Sequence, residues 1–177
     1  MYDISKPPRV APLPKSEWND EVTALMGPIQ KPLNIFLTLI RHPKLFKRWS
    51  VFATHILQKN TLPERERELV ILRVGVLCKS AYEFHQHTSI GLDSGLTAEE
   101  IERTKQGVQA WAGQDALLIQ ATDELVTDKR MADETWAALS AQLSEQQMMD
   151  LVFTVGQYTL VSMALNTFGV QIEDSAP

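Results

Sequence analysis

One cysteine, Cys78, in 177 residues has no partner for an internal disulfide. Its isolation points to a reducing compartment, and the cytoplasm is the expected location. Basic runs are absent as well. Lys and Arg number 17 against 22 Asp and Glu, a formal net charge of −5. That charge repels nucleic-acid phosphates and anionic headgroups, so neither nucleic acid nor a membrane is expected as a partner. No apolar run is long and unbroken enough to read as a membrane span. The longest, Leu151 to Val170, is interrupted by Gly156, Gln157, Asn166 and Gly169. The opening MYDISKPPRVAPLPK lacks the apolar core of a signal peptide and instead holds Pro7, Pro8, Pro12 and Pro14. Residues 1–15 therefore read as an extended arm, lying on the surface or reaching a neighbouring subunit. Strand signals, internal repeats and low-complexity tracts are also missing.

What remains is helical. A hydrophobic fraction of 44% and a charged fraction of 22% are ordinary for a globular protein. A chain of this size buries roughly 70% of its unfolded surface without metals or disulfides. Residues 16–177 read as one domain of about eight helices, an all-α bundle with short connections. Ser16 is placed to cap a helix running to Met26. The segment Leu33 to Ile40 precedes a helix carrying Leu45, Trp49, Phe52, Ala53 and Ile56 at helical spacing. Capping-box spacings occur at Thr61/Glu64 (with Pro63 in the first turn), Ser80/Glu83 and Ser144/Gln147, and Thr97 with Glu100 opens a short helix. Asp115 to Lys129 is helical by period, and Asp133 is placed to cap the next helix, ending near Leu143.

Two segments, Leu69 to Leu77 and Leu151 to Leu165, are apolar nearly all round. Such helices are buried in a domain centre or between subunits. Two of them in a small domain suggest a homo-oligomer formed through these regions.

The informative stretch is ELVILRVGVLCKSAYEFHQHTSIGLDSG, residues 68–95. It resembles the central motif of the carboxymuconolactone decarboxylase and alkylhydroperoxidase D-like family. There a glutamate precedes Cys-x-x-Cys, and a histidine follows the second cysteine by four residues. On this chain the glutamate matches Glu68 and the histidine His87, while the cysteine positions fall on Ser80 and Glu83. Cys78 lies two residues before the first of them. Tyr82, Glu83, Phe84 and His87 are similar to a thiol-free Tyr-Glu-Trp-x-x-His branch, as is the C-terminal VGQYTLVSMALNTFGV. The resemblance implies an alkylhydroperoxidase D-like bundle, assembly as a trimer or hexamer, a small-molecule substrate and no cofactor.

A thiol at a helix N-terminus is activated by free N–H groups and the macrodipole. A serine hydroxyl cannot cycle through sulfenic acid and disulfide. With Ser80 and Glu83 in the cysteine places the redox half of the family chemistry is closed, and the proton-handling pair Glu68 and His87 remains. Ser80, Glu83 and His87 stand at i, i+3 and i+7, on one helical face. A carboxylate beside an imidazole raises its pKa and fixes its tautomer. Glu68, Glu83 and His87 are thus the candidate catalytic residues, with Ser80, Tyr82, Tyr158 and Asn166 as candidate pocket residues. The expected chemistry is proton transfer, including decarboxylation, on a small carboxylated or carbonyl substrate.

Plainer roles stand beside these. Glu83 can serve only as the third-position partner of a Ser80 cap. Glu68 continues an Arg-interleaved run with Glu64 and Glu66 that suits a solvated face. His85 reads as a solvated or packing residue and Cys78 as an inert buried thiol. Tyr158 and Asn166, eight apart on the last helix, can satisfy core groups instead of a ligand. Glu83 and His87 at i and i+4 also have metal-ligand spacing, but no two-His helical motif supports a metal and none is expected. A non-catalytic oligomeric binding protein is the rival reading, and it requires Glu68 to be exposed and distant from His87.

Overall fold

The computed structural model describes residues 7–173. Among them are nine α-helices, two single 3-10 turns and no strand. In chain order the helices are α1 (Asp20–Met26), α2 (Asn34–Leu39), α3 (Pro43–Gln58), α4 (Glu64–Leu77), α5 (Ala81–Asp93), α6 (Ala98–Arg103), α7 (Gly113–Thr127), α8 (Asp133–Ser140) and α9 (Glu145–Phe168). The all-α expectation holds, with one helix more than the apolar periodicity suggests.

Several helix starts differ from the expected ones for reasons of capping. α1 begins at Asp20 because the Asn19 side chain accepts the Val22 N–H, while Ser16 sits in a preceding 3-10 turn. Pro63 occupies the N-cap of α4, and Thr61 makes no capping box. Its hydroxyl and its N–H both donate to Asp150, each at 2.7 Å, tying the loop to α9. Asp133 lies inside the first turn of α8, one residue after the cap. Thr97/Glu100 and Ser144/Gln147 do form complete capping boxes.

α4 is the hub of the bundle and packs against α5, α7 and α9. Leu69, Val70, Ile71, Leu72 and Val74 are wholly buried, and each such side chain contributes about 1.5–3 kcal/mol in transfer terms. Its all-round apolar character is therefore satisfied within one chain, and α4 is not the subunit face that its composition suggested. Arg73 fixes the packing angle. It forms a fork with Asp123 of α7, at 2.6 and 2.8 Å, and donates to the carbonyls of Thr104 and Gln106, each at 2.8 Å.

The α4–α5 corner sets the site. The backbone turns at Lys79, which holds a left-handed φ of 55°. Lys79 N–H donates to Val76 O at 3.0 Å and Ser80 N–H to Gly75 O at 2.8 Å, the paired bonds of a Schellman stop. At Gly75 the helices are in ordinary contact: a Cβ there would lie 3.5 Å from the Phe84 nitrogen. α4 and α5 thus run back side by side, with Glu68 facing His87.

α9 is long and apolar enough to cross a membrane by length and composition, contrary to the reading of its interrupted sequence. More than half of that window is packed inside the domain, and the polar groups Asp150, Thr154 and Gln157 are buried with it. Its outer side carries an exposed apolar row, Met149, Val152, Phe153, Leu160 and Met163.

Of the proline-rich arm, residues 1–6 lie outside the described residues. The remainder runs along its own chain. Arg9 N–H donates to Phe168 O at 2.7 Å, Leu13 N–H to Leu37 O at 2.8 Å, and Arg41 Nε to Ala11 O at 2.6 Å.

Candidate active site

Glu68 projects from the buried middle of α4 and has no exposed surface. A buried carboxylate is costly unless both oxygens find charged or donor partners. Here Oε1 accepts from Arg67 Nε at 3.1 Å and Oε2 meets His87 Nδ1 at 2.6 Å. The other ring nitrogen, Nε2, lies 3.0 Å from Glu83 Oε1. His87 is therefore held between two carboxylates from two helices.

Two acceptors on one ring favour the doubly protonated imidazolium. Burial by itself pushes the His87 pKa down, but the hydrogen bonds and charges of Glu68 and Glu83 outweigh it and raise the value to about 9. With His87 and Arg67 cationic, the buried set balances two positive against two negative charges. Removing the His87 proton would leave a net negative charge without solvent, which is why the proton is held.

Ser80 and Glu83 divide the roles that their spacing left open. The Ser80 hydroxyl caps α5 by accepting the Glu83 N–H at 3.5 Å. The reciprocal bond from the Glu83 carboxylate to the cap is absent, because that carboxylate turns to His87. Glu83 is thus half a capping box and half an acid–base pair.

A cavity of about 370 Å³ opens beside this pair. Glu83 and His87 face it, with Tyr82, Gln86, Gln157 and Tyr158, while Phe36, Phe46, Trp49, Leu57, Ile90 and Val161 form apolar walls. Glu68 stays behind His87, out of the cavity. The Tyr158 ring stands edge-on to the imidazole, centroids 4.9 Å apart. Burial raises the Tyr158 pKa well above its ordinary value, and the Glu83 and Glu68 charges add to this, so the phenol stays neutral. A second hollow of about 530 Å³ on the outer side of α3 is larger but contains none of the three acid–base residues.

The structure separates the other candidates. Tyr82 lines the cavity, but its hydroxyl donates to Glu173 Oε1 at 2.6 Å. Asn166 turns away and donates to the Cys78 carbonyl at 2.8 Å, finishing α4 rather than lining the cavity. Ser80 is buried beneath α5 and does not line the cavity either. His85 is exposed. Cys78 is half-buried, outside the cavity wall. Among the described residues no group of three or more His, Cys, Asp or Glu side chains is arranged to hold a metal ion.

Several residues of the site carried no signal in the sequence. Arg67 looks like one more member of a solvated charge run, yet only it and Glu68 of that run are buried. Gln157 reads as a polar interruption of an apolar helix. The walls supplied by α2 and α3 come from a region whose pattern is merely amphipathic. Glu173 joins from the far end of the chain. Its carboxylate accepts from Asn34 N–H at 2.7 Å, from Tyr82 and from Gln86, binding the C-terminal segment to α2 and α5.

Comparison with known proteins agrees with this architecture. Residues 43–124 match the family described as Carboxymuconolactone decarboxylase family. That span covers α3 to α6 and most of α7, and so includes Glu68, Ser80, Tyr82, Glu83 and His87. No curated protein matches the chain. Among solved structures, it is similar to an alkylhydroperoxidase AhpD core, an uncharacterized peroxidase-related protein from Ralstonia eutropha JMP134. The TM-score is 0.80 at 15% identity, over 96% of this chain and 95% of that one. A peroxidase-related protein from Silicibacter sp. TM1040 superposes with a TM-score of 0.73 at 9% identity, covering 94% and 89%. The debrominase Bmp8, as a cysteine-to-alanine variant in complex with 2,3,4-tribromopyrrole, gives 0.74 at 13% identity, covering 93% and 91%. Residues 43–124 thus match the model of the Carboxymuconolactone decarboxylase family, and the fold that carries them is similar to that of the alkylhydroperoxidase AhpD core.

Proposed function

We propose that this protein is a carboxymuconolactone decarboxylase-like enzyme that moves protons on a small carbonyl or carboxylated substrate, decarboxylation and lactone opening being reactions of this kind. The observation that carries the reading is the 2.6 Å contact between wholly buried Glu68 and His87. A binding protein that had lost its chemistry would have no need to bury a carboxylate against an imidazole. Within the cavity, Glu83 is the group able to accept a proton. His87 is the group able to return one, and at neutral pH it is already charged. Glu68 positions the ring and holds its charge. The apolar walls exclude water, which strengthens each of these interactions. Debrominase Bmp8 binds a small planar heterocycle on a similar fold, and the present cavity has room for a ligand of that size.

A thiol peroxidase is the disfavoured alternative. Cys78, the lone thiol, stands outside the cavity, and burial pushes its pKa up, against a weaker opposing hydrogen bond from Thr159.

The protein is further proposed to assemble as a homo-oligomer, with the exposed row on α9 as its contact face. Phe153 of that row meets Phe52 of α3 edge-on, centroids 6.1 Å apart, so the apolar face continues across two helices. Replacing Leu160 and Met163 with Glu is expected to leave a folded monomer by light scattering. An unchanged mass would remove this face from the proposal.

The activity is tested by hydrogen–deuterium exchange into a panel of ketones, lactones and β-keto acids, followed by NMR. Exchange or turnover by the wild type that falls by about 10²–10⁴-fold in Glu83→Gln and in His87→Gln supports the reading. Equal rates in wild type and both variants contradict it.

A further inference from the structure

The carboxamide oxygen of Gln157, Oε1, is buried and has no hydrogen-bond partner. The residue is 4% exposed and sits in the wall of the acid–base cavity, one position before Tyr158 on α9. A buried acceptor left unpaired costs roughly 1–3 kcal/mol. Other polar groups of the wall already have partners: Tyr82 and Gln86 donate to Glu173, Ser50 donates to the Phe46 carbonyl, and His87 and Glu83 engage each other. The Gln157 oxygen is a buried, unpaired acceptor on a residue of the wall, open to completion by a ligand.

The charge of the wall adds a second restriction. Among the described residues no Lys or Arg lines the cavity. The one cation among its described lining residues, His87, is already balanced by Glu68 and Glu83, and Arg67 is engaged by Glu68. A carboxylate entering here would meet the Glu83 oxygens with no free cation to offset its lost hydration. The aromatic walls Phe36, Phe46 and Trp49 favour an apolar ring instead.

From these observations we infer that Gln157 is the specificity residue of the site, accepting a hydrogen bond from an O–H or N–H of a neutral, ring-sized carbonyl substrate, and that carboxylated substrates are excluded. The inference rests on the proton-transfer reading and narrows its two substrate classes to one. The acceptor comes from α9 and the apolar wall from α2 and α3, while the exclusion of carboxylates comes from Glu83 on α5.

Three probes separate the terms: 4-hydroxyacetophenone, 4-methoxyacetophenone and 4-acetylbenzoate, titrated calorimetrically at about pH 6 with the intact chain. The hydroxy ketone is expected to bind at least about tenfold more tightly than either analogue, and Gln157→Leu is expected to erase its advantage over the methoxy ketone. Gln157→Glu retains an acceptor and is expected to keep that advantage, which guards against a Leu variant that fails to fold. Equal binding of all three probes, preference for the carboxylate, binding of none, or a preference that survives Gln157→Leu would each overturn the inference. Methyl deuterium exchange on the same ketones reports separately on Glu83 and His87. Discrimination by Gln157 without exchange would sink the proton-transfer reading and leave the ligand class standing; exchange without discrimination would do the reverse.

Discussion

Nδ1 of His87 on α5 lies 2.6 Å from Oε2 of Glu68 on α4, nineteen residues earlier in the chain. Neither residue has meaningful solvent exposure. The contact exists because a Schellman stop at Lys79 folds α5 back along α4. Glu83 closes the other side of the ring. The result is an imidazolium stored next to an apolar cavity.

The stored proton makes stability depend on pH. The folded chain binds it with a pKa of about 9, against an ordinary 6.5 for histidine. The stabilisation is complete below about pH 6.5 and is lost as pH rises through 9. One pKa unit corresponds to about 1.4 kcal/mol, so about 3 kcal/mol should disappear across that interval. Urea unfolding at pH 6.5 and pH 9.5 measures it directly. A flat profile would mean that His87 is neutral when buried.

Lys79 pays a conformational cost at the corner, being a non-glycine residue at φ 55°. Lys79→Gly is expected to stabilise the protein by about 0.5–1 kcal/mol in chemical denaturation, with the site unchanged. Destabilisation would indicate that the Lys79 side chain does more than occupy the turn.

Cys78 should be dispensable. The disulfide chemistry that the resemblance implies needs two thiols, and the positions matching them here hold Ser80 and Glu83. No dithiol-dependent hydroperoxide reduction above background is expected, and Cys78→Ser should retain native activity. Robust peroxide turnover that vanishes in Cys78→Ser would identify a peroxidatic cysteine and overturn the assignment.

How much of this was legible beforehand follows from the kind of signal each residue carries. The capping box at Ser144 is local chemistry and appears as expected, and Thr97 with Glu100 opens its short helix with a complete box as well. The Thr61 spacing looks identical but fails: the N-cap falls on Pro63, and the Thr61 hydroxyl donates instead to Asp150 on α9, 89 residues away. Glu68 and His87 were found through motif spacing, which encodes one helix and its neighbour. Gln157, Trp49 and Glu173 reach the site from other elements, and no local pattern records such packing. For Asn166 the plainer of its two readings holds: helical phase puts it near the face of Tyr158, but the end of α4 supplies a free carbonyl that takes its amide. The α4 helix shows the same limit. Its uniform apolarity fits a subunit contact as well as a domain centre, and only its three packed neighbours decide between them.

The central claim is that His87 is held protonated between Glu68 and Glu83. Imidazole chemical shifts of His87, followed by NMR from pH 5 to 10 in the wild type and in Glu68→Gln, test it most directly. The account predicts a wild-type midpoint near 9 that moves down toward the ordinary histidine value in Glu68→Gln. A midpoint at or below the ordinary value in the wild type, unchanged by Glu68→Gln, would contradict it.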